Sequence, residues 1–181
     1  MWRVTDNTWW VAALTGGTAV LASWVTTLGN ARTARIQGQA AAETQRRQQL
    51  RDGRRRAYLD LVEQAHRMAE LYWKVSAASR VEDAAERAAA WSALYERERD
   101  EYAGIRRCVR VVDLEGPPEV AEAAEALKRE VGSFHRPFTT MVEGDGSAVE
   151  EAVAEFDGRY RPFWAALNRF VDTAREALHS T

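Results

Sequence analysis

The chain has 181 residues, of which 46% are hydrophobic and 29% are charged, and its formal net charge is -2. This composition excludes a disordered chain and a chain that lies wholly within a membrane. The near-neutral balance excludes a protein that is strongly basic throughout. Because there is one cysteine, an internal disulfide framework and a zinc site with several cysteine ligands are also excluded. At this length one folded domain with a substantial core is expected.

The amino-terminal segment has the features of a membrane anchor. No charged residue occurs between Asn7 and Ala31, and residues 9–28 form a mostly apolar run with tryptophans near both edges. A helix of this length measures about 30 Å, the thickness of the hydrocarbon core of a bilayer. We predict a transmembrane helix at 9–28 that follows a short extracytoplasmic tail at 1–8. A cleaved signal peptide and a buried globular helix are the alternatives.

Small residues recur four positions apart within this predicted span. The pairs are Ala12 with Gly16 and Ala13 with Gly17. Such pairs permit two membrane helices to approach closely, because little side-chain volume separates the backbones. These four residues are the candidate dimer face in the membrane.

Charge changes sharply after the predicted span. Residues 29–56 form a predicted basic helical stalk, and between 32 and 56 eight arginines stand against two acidic residues. By the positive-inside rule the carboxyl side of the span should be cytoplasmic. The predicted location is therefore the cell membrane, crossed once, with the amino terminus outside. Residues 57–181, with 16 basic and 24 acidic residues, form the predicted cytoplasmic body.

The body has the periodicity of four amphipathic helices. Apolar residues recur at spacings of three and four in four stretches, and Glu98 is the one charged member of the second stripe. Short turn-rich segments separate the stretches, so neighbouring helices should be antiparallel. The predicted fold class is all-α: an N-terminal transmembrane helix, a helical stalk and an antiparallel four-helix bundle.

Local signals place the ends of these helices. Capping boxes predict that the second helix begins at Ser79 and the fourth at Ser147, each followed three residues later by glutamate. The glycine and prolines of residues 116–118 should end one helix and start the next. Residues 144–146 read as a turn.

Antiparallel packing of the first two helices would bring two arginine clusters to one end of the bundle. We call them the basic collar, a candidate surface for anionic lipid headgroups or another polyanion. A collar that pairs with nearby acidic residues is the alternative. A continuous helix would hold it about 35 Å from the membrane, so lipid contact requires a bend at Gly38 or Gly53. The collar comprises Arg51, Arg54, Arg55, Arg56, Arg106, Arg107 and Arg110.

Arg-Pro-Phe occurs twice in the middle of predicted helices, as Pro137-Phe138 and Pro162-Phe163. Proline removes a backbone hydrogen bond and kinks a helix. Because the apolar stripe stays in phase through both copies, we predict kinks and not breaks. The four residues are the candidate lining of a pocket between the last two helices. Curvature that improves packing, or a duplicated helical hairpin, is the alternative.

Catalytic and metal chemistry have little support. The spacing of Glu63 and His66 occurs in di-iron bundles, but the only second copy, Glu176-x-x-His179, ends two residues from the C-terminus. Cys108 stands beside arginines that would favour its thiolate, yet no base is assigned to it. Phosphate-loop, nucleophile-elbow and zinc-protease motifs are absent from the sequence. We expect no cofactor, no metal and no enzymatic activity.

The chain contains, in this order, an uncharged span, an arginine- and glutamine-rich stalk and the segment Arg54-Arg-Arg-Ala-Tyr58. With 23 arginines to two lysines, the chain resembles small single-pass membrane-anchored helical proteins of unknown function from high-GC Gram-positive bacteria. That resemblance covers architecture and implies no catalytic residue.

The expected function is a membrane-tethered scaffold or protein-interaction module, with a protein partner or a second copy of the chain. One alternative is a nucleic-acid-associated membrane protein, of the plasmid-transfer type, that uses the basic collar. Another is a bundle that binds a small molecule or a lipid.

Overall fold

The computed structural model describes the backbone of residues 8–180 and the side chains of residues 42–180. This part of the chain contains helices and no strand, so the predicted all-α class is confirmed. Residues 50–181 form one compact unit and residues 1–49 another. The helices are α1 (Thr8–Ala78), α2 (Ala84–Glu115), α3 (Pro118–Gly132), α4 (His135–Glu143), α5 (Gly146–Gly158) and α6 (Tyr160–His179).

Two predictions fall on the amino-terminal segment. The membrane span at 9–28 and the candidate dimer face lie outside the residues whose side chains are described. Among the described residues, no helix combines the length and the hydropathy that a membrane crossing requires. The dimer-face residues concerned are Ala12, Ala13, Gly16 and Gly17.

Helices α1 and α2 run in opposite directions. Trp91 Nε1, near the start of α2, donates to the carbonyl of Val75 at the end of α1, at 3.2 Å. Arg54 Nε donates to the carbonyl of Glu115, the last residue of α2, at 2.7 Å. The end of α1 therefore lies beside the start of α2, and an earlier part of α1 lies beside the end of α2.

The last helices return along α1 in the same antiparallel way. The rings of Tyr58 and Phe170 meet edge to face, with centroids 6.1 Å apart. Further along α1, Ser76 Oγ donates at 2.6 Å to Oδ1 of Asp157, which precedes Phe170 by thirteen residues. Since α1 contacts both α2 and the α5–α6 pair, its inner face is enclosed on two sides.

The bundle has four arms, which are α1, α2, the α3–α4 pair and the α5–α6 pair. Each of the two pairs is one arm that is interrupted by a break. Between α3 and α4, Ser133 and Phe134 keep right-handed helical dihedrals, with φ and ψ of -68° and -20° at Ser133. Arg159 between α5 and α6 does the same, with -77° and -14°. Each break lies within one turn before a proline, whose missing N–H and ring disrupt that turn. The helices are thus interrupted where kinks were predicted, while the backbone stays right-handed.

An aromatic cluster fills the space between the two breaks. Tyr72 stacks on Phe134 with ring centroids 3.9 Å apart. Phe138 meets Phe156 at 5.7 Å, and Phe134 meets Phe163 at 6.2 Å. All five side chains are buried. These rings occupy the volume that the kink-pocket hypothesis assigned to a ligand, which favours the packing alternative.

The predicted capping boxes are wrong, whereas the predicted turns are confirmed. The N-cap of α2 is Asp83, whose carboxylate accepts from the amide of Glu86 at 2.8 Å. Ser79 Oγ instead donates back to Val75 O in the last turn of α1. Helix α5 begins at Gly146, before Ser147, and its N-cap has no side-chain hydrogen bond. Pro118 opens α3.

Candidate functional site

A cleft of about 660 Å³ opens between α2 and the break that separates α3 from α4. Its volume lies in the range of small-molecule sites, and its lining is strongly charged. Helix α2 contributes most of the wall, and the helix break contributes the opposite side. The lining residues are Glu96, Arg97, Glu98, Arg99, Asp100, Tyr102, Arg106, Gly132 and His135.

Glu98 is the buried acid of this cleft, with 2% of its surface exposed. Its Oε2 lies 3.4 Å from Nδ1 of His135, the first residue of α4. Burial raises the pKa of the Glu98 carboxyl, and the neighbouring His135 and Arg99 partly oppose that rise. Within residues 42–180 no donor forms a hydrogen bond to the other oxygen, Oε1. Oε1 is accessible from the cleft, since in this part of the chain the Tyr58 hydroxyl is the one fully buried side-chain oxygen or nitrogen without a partner.

The middle of the cleft is built around Tyr102. A Cβ added to Gly132 would lie 3.2 Å from the Tyr102 hydroxyl, so the glycine lets this ring approach α3 closely. On its other side, the ring lies 5.6 Å from the guanidinium carbon of Arg106. Arg106 is therefore the one collar arginine that lines this cleft, where its guanidinium lies over an aromatic ring.

The remaining collar arginines are exposed or half-buried, at residues 51–56 within α1 and at Arg107 and Arg110 near the end of α2. Arg54 holds the two helices together through the carbonyl of Glu115. Within the described residues none of the seven collar arginines forms an ion pair within 4 Å, so the pairing alternative has no support there. Helix α1 continues without interruption through Gly53, one of the two predicted bends. The collar arginines besides Arg54 and Arg106 are Arg51, Arg55, Arg56, Arg107 and Arg110.

Cys108 lacks the environment of a nucleophile. Its Sγ donates to the carbonyl of Asp60 at 3.8 Å. Burial and the Asp60 charge raise the pKa of the thiol, and this outweighs the lowering by Arg67 and Arg107. The expectation that nearby arginines favour the thiolate is therefore wrong, because burial dominates.

The Glu63 and His66 pair is not arranged for metal binding. Glu63 binds Arg67 at 2.6 Å, and His66 Nδ1 contacts the carbonyl of Val62 at 2.8 Å. Within the described part of the chain there is no group of three potential metal ligands. Both side chains are instead part of the outer surface of α1.

An exposed apolar surface runs along the seam between α1 and α6. Its members repeat every seven residues on each helix, and the rings of His66 and Trp164 meet at 5.9 Å across the seam. Trp73 is 66% exposed and Leu59 is 57% exposed, so the seam presents large apolar side chains to solvent. We call this surface the α1–α6 face. It comprises Leu59, His66 and Trp73 on α1, and Trp164, Val171 and Leu178 on α6.

Sequence reasoning missed both the α1–α6 face and the pairing of Glu98 with His135. The seven-residue spacing was visible in the chain, but each position lay beside the inner stripe that defines the core. Glu98 was visible as a charge within an apolar stripe. Its partner was not, because only packing of α2 against α4 brings His135 to it.

Comparisons with protein-family models, with curated proteins and with solved structures give no match.

Proposed function

We propose that this protein is a membrane-tethered scaffold whose helical bundle docks a protein partner in the cytoplasm. The observation that carries the proposal is the α1–α6 face, where Trp73 and Trp164 are 66% and 39% exposed. Exposed tryptophans are frequent anchors of protein interfaces, since they bury a large area at small entropic cost. The tether is the predicted span at 9–28, joined to the bundle through the stalk at 29–56.

The shape of the face suits an amphipathic helix. Two antiparallel helices leave a groove between them, and here a groove of about 170 Å³ follows α1 and α6. Its floor includes Leu59 and Val171, and Arg55 and Arg175 stand on its rim. A partner helix with apolar residues on one side and acidic residues beside them would complement both features.

Photo-crosslinking in cells tests the docking surface on the full-length chain. A photoreactive residue at position 73 should give an adduct with a partner, and the crosslinked peptide should belong to an amphipathic helix. The matched control is position 114, because Leu114 is 83% exposed on α2, outside this face. Equal adducts at the two positions, or none at position 73, would refute the proposal. So would adducts formed only with a second copy of the chain.

Fractionation tests the tether separately. The full-length chain should resist extraction with alkaline carbonate, and a tag at its carboxyl terminus should be protected from protease outside the cell. Extraction into the soluble fraction would exclude the tether and leave the docking surface open to test. A protease-sensitive carboxyl tag would reverse the predicted topology.

The unpaired collar arginines favour a second candidate function, association with nucleic acid. Neutralised phosphates release counterions, so binding by this route should weaken steeply as salt increases. Substituting Arg55 and Arg56 with glutamine should then reduce both the affinity and the salt dependence. If the protein does not bind duplex DNA even at low salt, this candidate function is excluded.

A further inference from the structure

The cleft carries three kinds of group in order along α2, independent of the docking surface. Glu98, Tyr102 and Arg106 are spaced by four residues, so they share one face of the helix, about 6 Å apart along its axis. The order is therefore acid, aromatic ring and base. All three line the same cleft.

The acidic end has capacity for a cationic group. Glu98 is buried, and its single close partner is His135, through Oε2. The His135 side chain is 53% exposed at the mouth of the cleft. A ligand ammonium at Oε1 would form a charge-assisted hydrogen bond, which is shorter and stronger than one between neutral groups.

The basic end has capacity for an anionic group. Arg106 lies over the Tyr102 ring, and no acidic side chain within residues 42–180 pairs with it at 4 Å or less. The contact with the ring restrains the guanidinium, and its N–H donors can bind a carboxylate. Bidentate binding of a carboxylate by arginine adds orientation as well as affinity.

We propose that this cleft binds a small organic zwitterion, with its ammonium group at Glu98 and its carboxylate at Arg106. The lining carries three carboxylates and three guanidinium groups, so a ligand of one sign would leave one end uncompensated. Tyr102, between the two ends, contacts the aliphatic stem of the ligand. Gly132 fixes the position of that ring, because its missing side chain lets the Tyr102 hydroxyl pack against α3.

Calorimetry on the purified full-length chain tests this with ε-aminohexanoate as the probe. Hexylamine and hexanoate, which each keep one charged end, are the matched ligands. ε-Aminohexanoate should bind about tenfold more tightly than either, since each lost charged contact weakens affinity by about that factor. Equal affinities for the three ligands, or no binding of ε-aminohexanoate at millimolar concentration, would overturn the proposal.

Variants assign the two ends. Glu98→Gln should reduce the affinity for ε-aminohexanoate about tenfold and leave the affinity for hexanoate unchanged. Arg106→Gln should likewise reduce the affinity for ε-aminohexanoate about tenfold, but leave the affinity for hexylamine unchanged. Arg106 is exposed, so its variant keeps the test valid if Glu98→Gln fails to fold. Controls are Arg110→Gln and Glu122→Gln, both exposed and outside the cleft. Loss of affinity in the controls, or none in the cleft variants, would contradict the assignment.

Discussion

Two buried tyrosines of α1 show how a single hydroxyl decides the cost of burial. Tyr72 donates to the carbonyl of Val131 at 2.9 Å. Tyr58 is also buried, but its hydroxyl has no hydrogen-bond partner among the described residues. Their sequence contexts do not distinguish them, since both belong to the inner stripe. Tertiary packing places a carbonyl beside one hydroxyl and not beside the other.

Removing each hydroxyl should therefore have opposite consequences. Tyr72→Phe removes one of two hydrogen bonds to Val131 O, which also accepts from the Phe134 amide at 3.3 Å, and should lower the free energy of unfolding by about 1 kcal/mol. Tyr58→Phe removes an unpaired polar group and should leave that free energy unchanged or raise it. Urea denaturation of the two variants measures both effects. Equal destabilisation would show that the hydroxyl environments are alike.

Glu98 should make stability depend on pH in the acidic range. Burial raises the pKa of its carboxyl above the ordinary value of 4.5, so the folded chain holds this proton more tightly than the unfolded chain. Its contribution to the free energy of unfolding therefore falls as pH rises from 4.5 through the raised pKa, by at most about 1.4 kcal/mol per pH unit. In Glu98→Gln that dependence is lost.

Denaturation at several pH values measures this difference. The stability of Glu98→Gln relative to the native chain should increase as pH rises through that range. Glu63→Gln is the control, because Glu63 is exposed and its side chain points away from the core. A constant difference between Glu98→Gln and the native chain would contradict the prediction.

At the scale of elements, local signals located the helix breaks better than the helix starts. A proline acts on the turn that precedes it, so Pro137 and Pro162 locate both irregularities from sequence alone, although we predicted kinks and the helices are interrupted there. Capping depends on which of several polar side chains meets the free amides. Ser79 was the predicted cap of α2, but its hydroxyl bonds back to Val75. Asp83, four residues later, takes the capping role.

The two aspartates at N-cap positions should differ in their effect on stability. Asp83→Ala removes the hydrogen bond to the Glu86 amide and should cost about 1 kcal/mol. Asp145 stands at the N-cap of α5 without a side-chain hydrogen bond, so Asp145→Ala should cost a few tenths of a kcal/mol at most. Chemical denaturation compares them. A larger loss in Asp145→Ala would reverse this assignment.

At the scale of the whole molecule, the core begins late in the chain. Among residues 42–180 the first buried apolar residue is Ala57, and the core then extends to Ala174 in α6. Residues 50–181 form a compact unit of their own. Stability of the bundle should therefore be independent of residues 1–49.

Truncation tests that independence. A fragment of residues 50–181 should unfold cooperatively, at nearly the same denaturant midpoint as the full chain, because it retains every core residue found among residues 42–180. A chain that ends at Arg159 should fail to fold, since α6 supplies Phe163, Leu167 and Phe170 to the core. Circular dichroism during denaturation follows both. Non-cooperative unfolding of the 50–181 fragment would show that the stalk stabilises the bundle.

Sequence by itself determined the all-α class, the inner stripes, the turns at 116–118 and 144–146 and the position of both breaks. Each depends on residues within a few positions of one another, where periodicity and proline chemistry act. Tertiary structure decided which residues outside the inner stripes form an exposed apolar surface, and which side chains from different helices come into contact. The Glu98 and His135 pair, the filled space between the prolines and the exposed α1–α6 face all depend on helices distant in sequence. Such contacts are set by packing geometry, which no local pattern encodes.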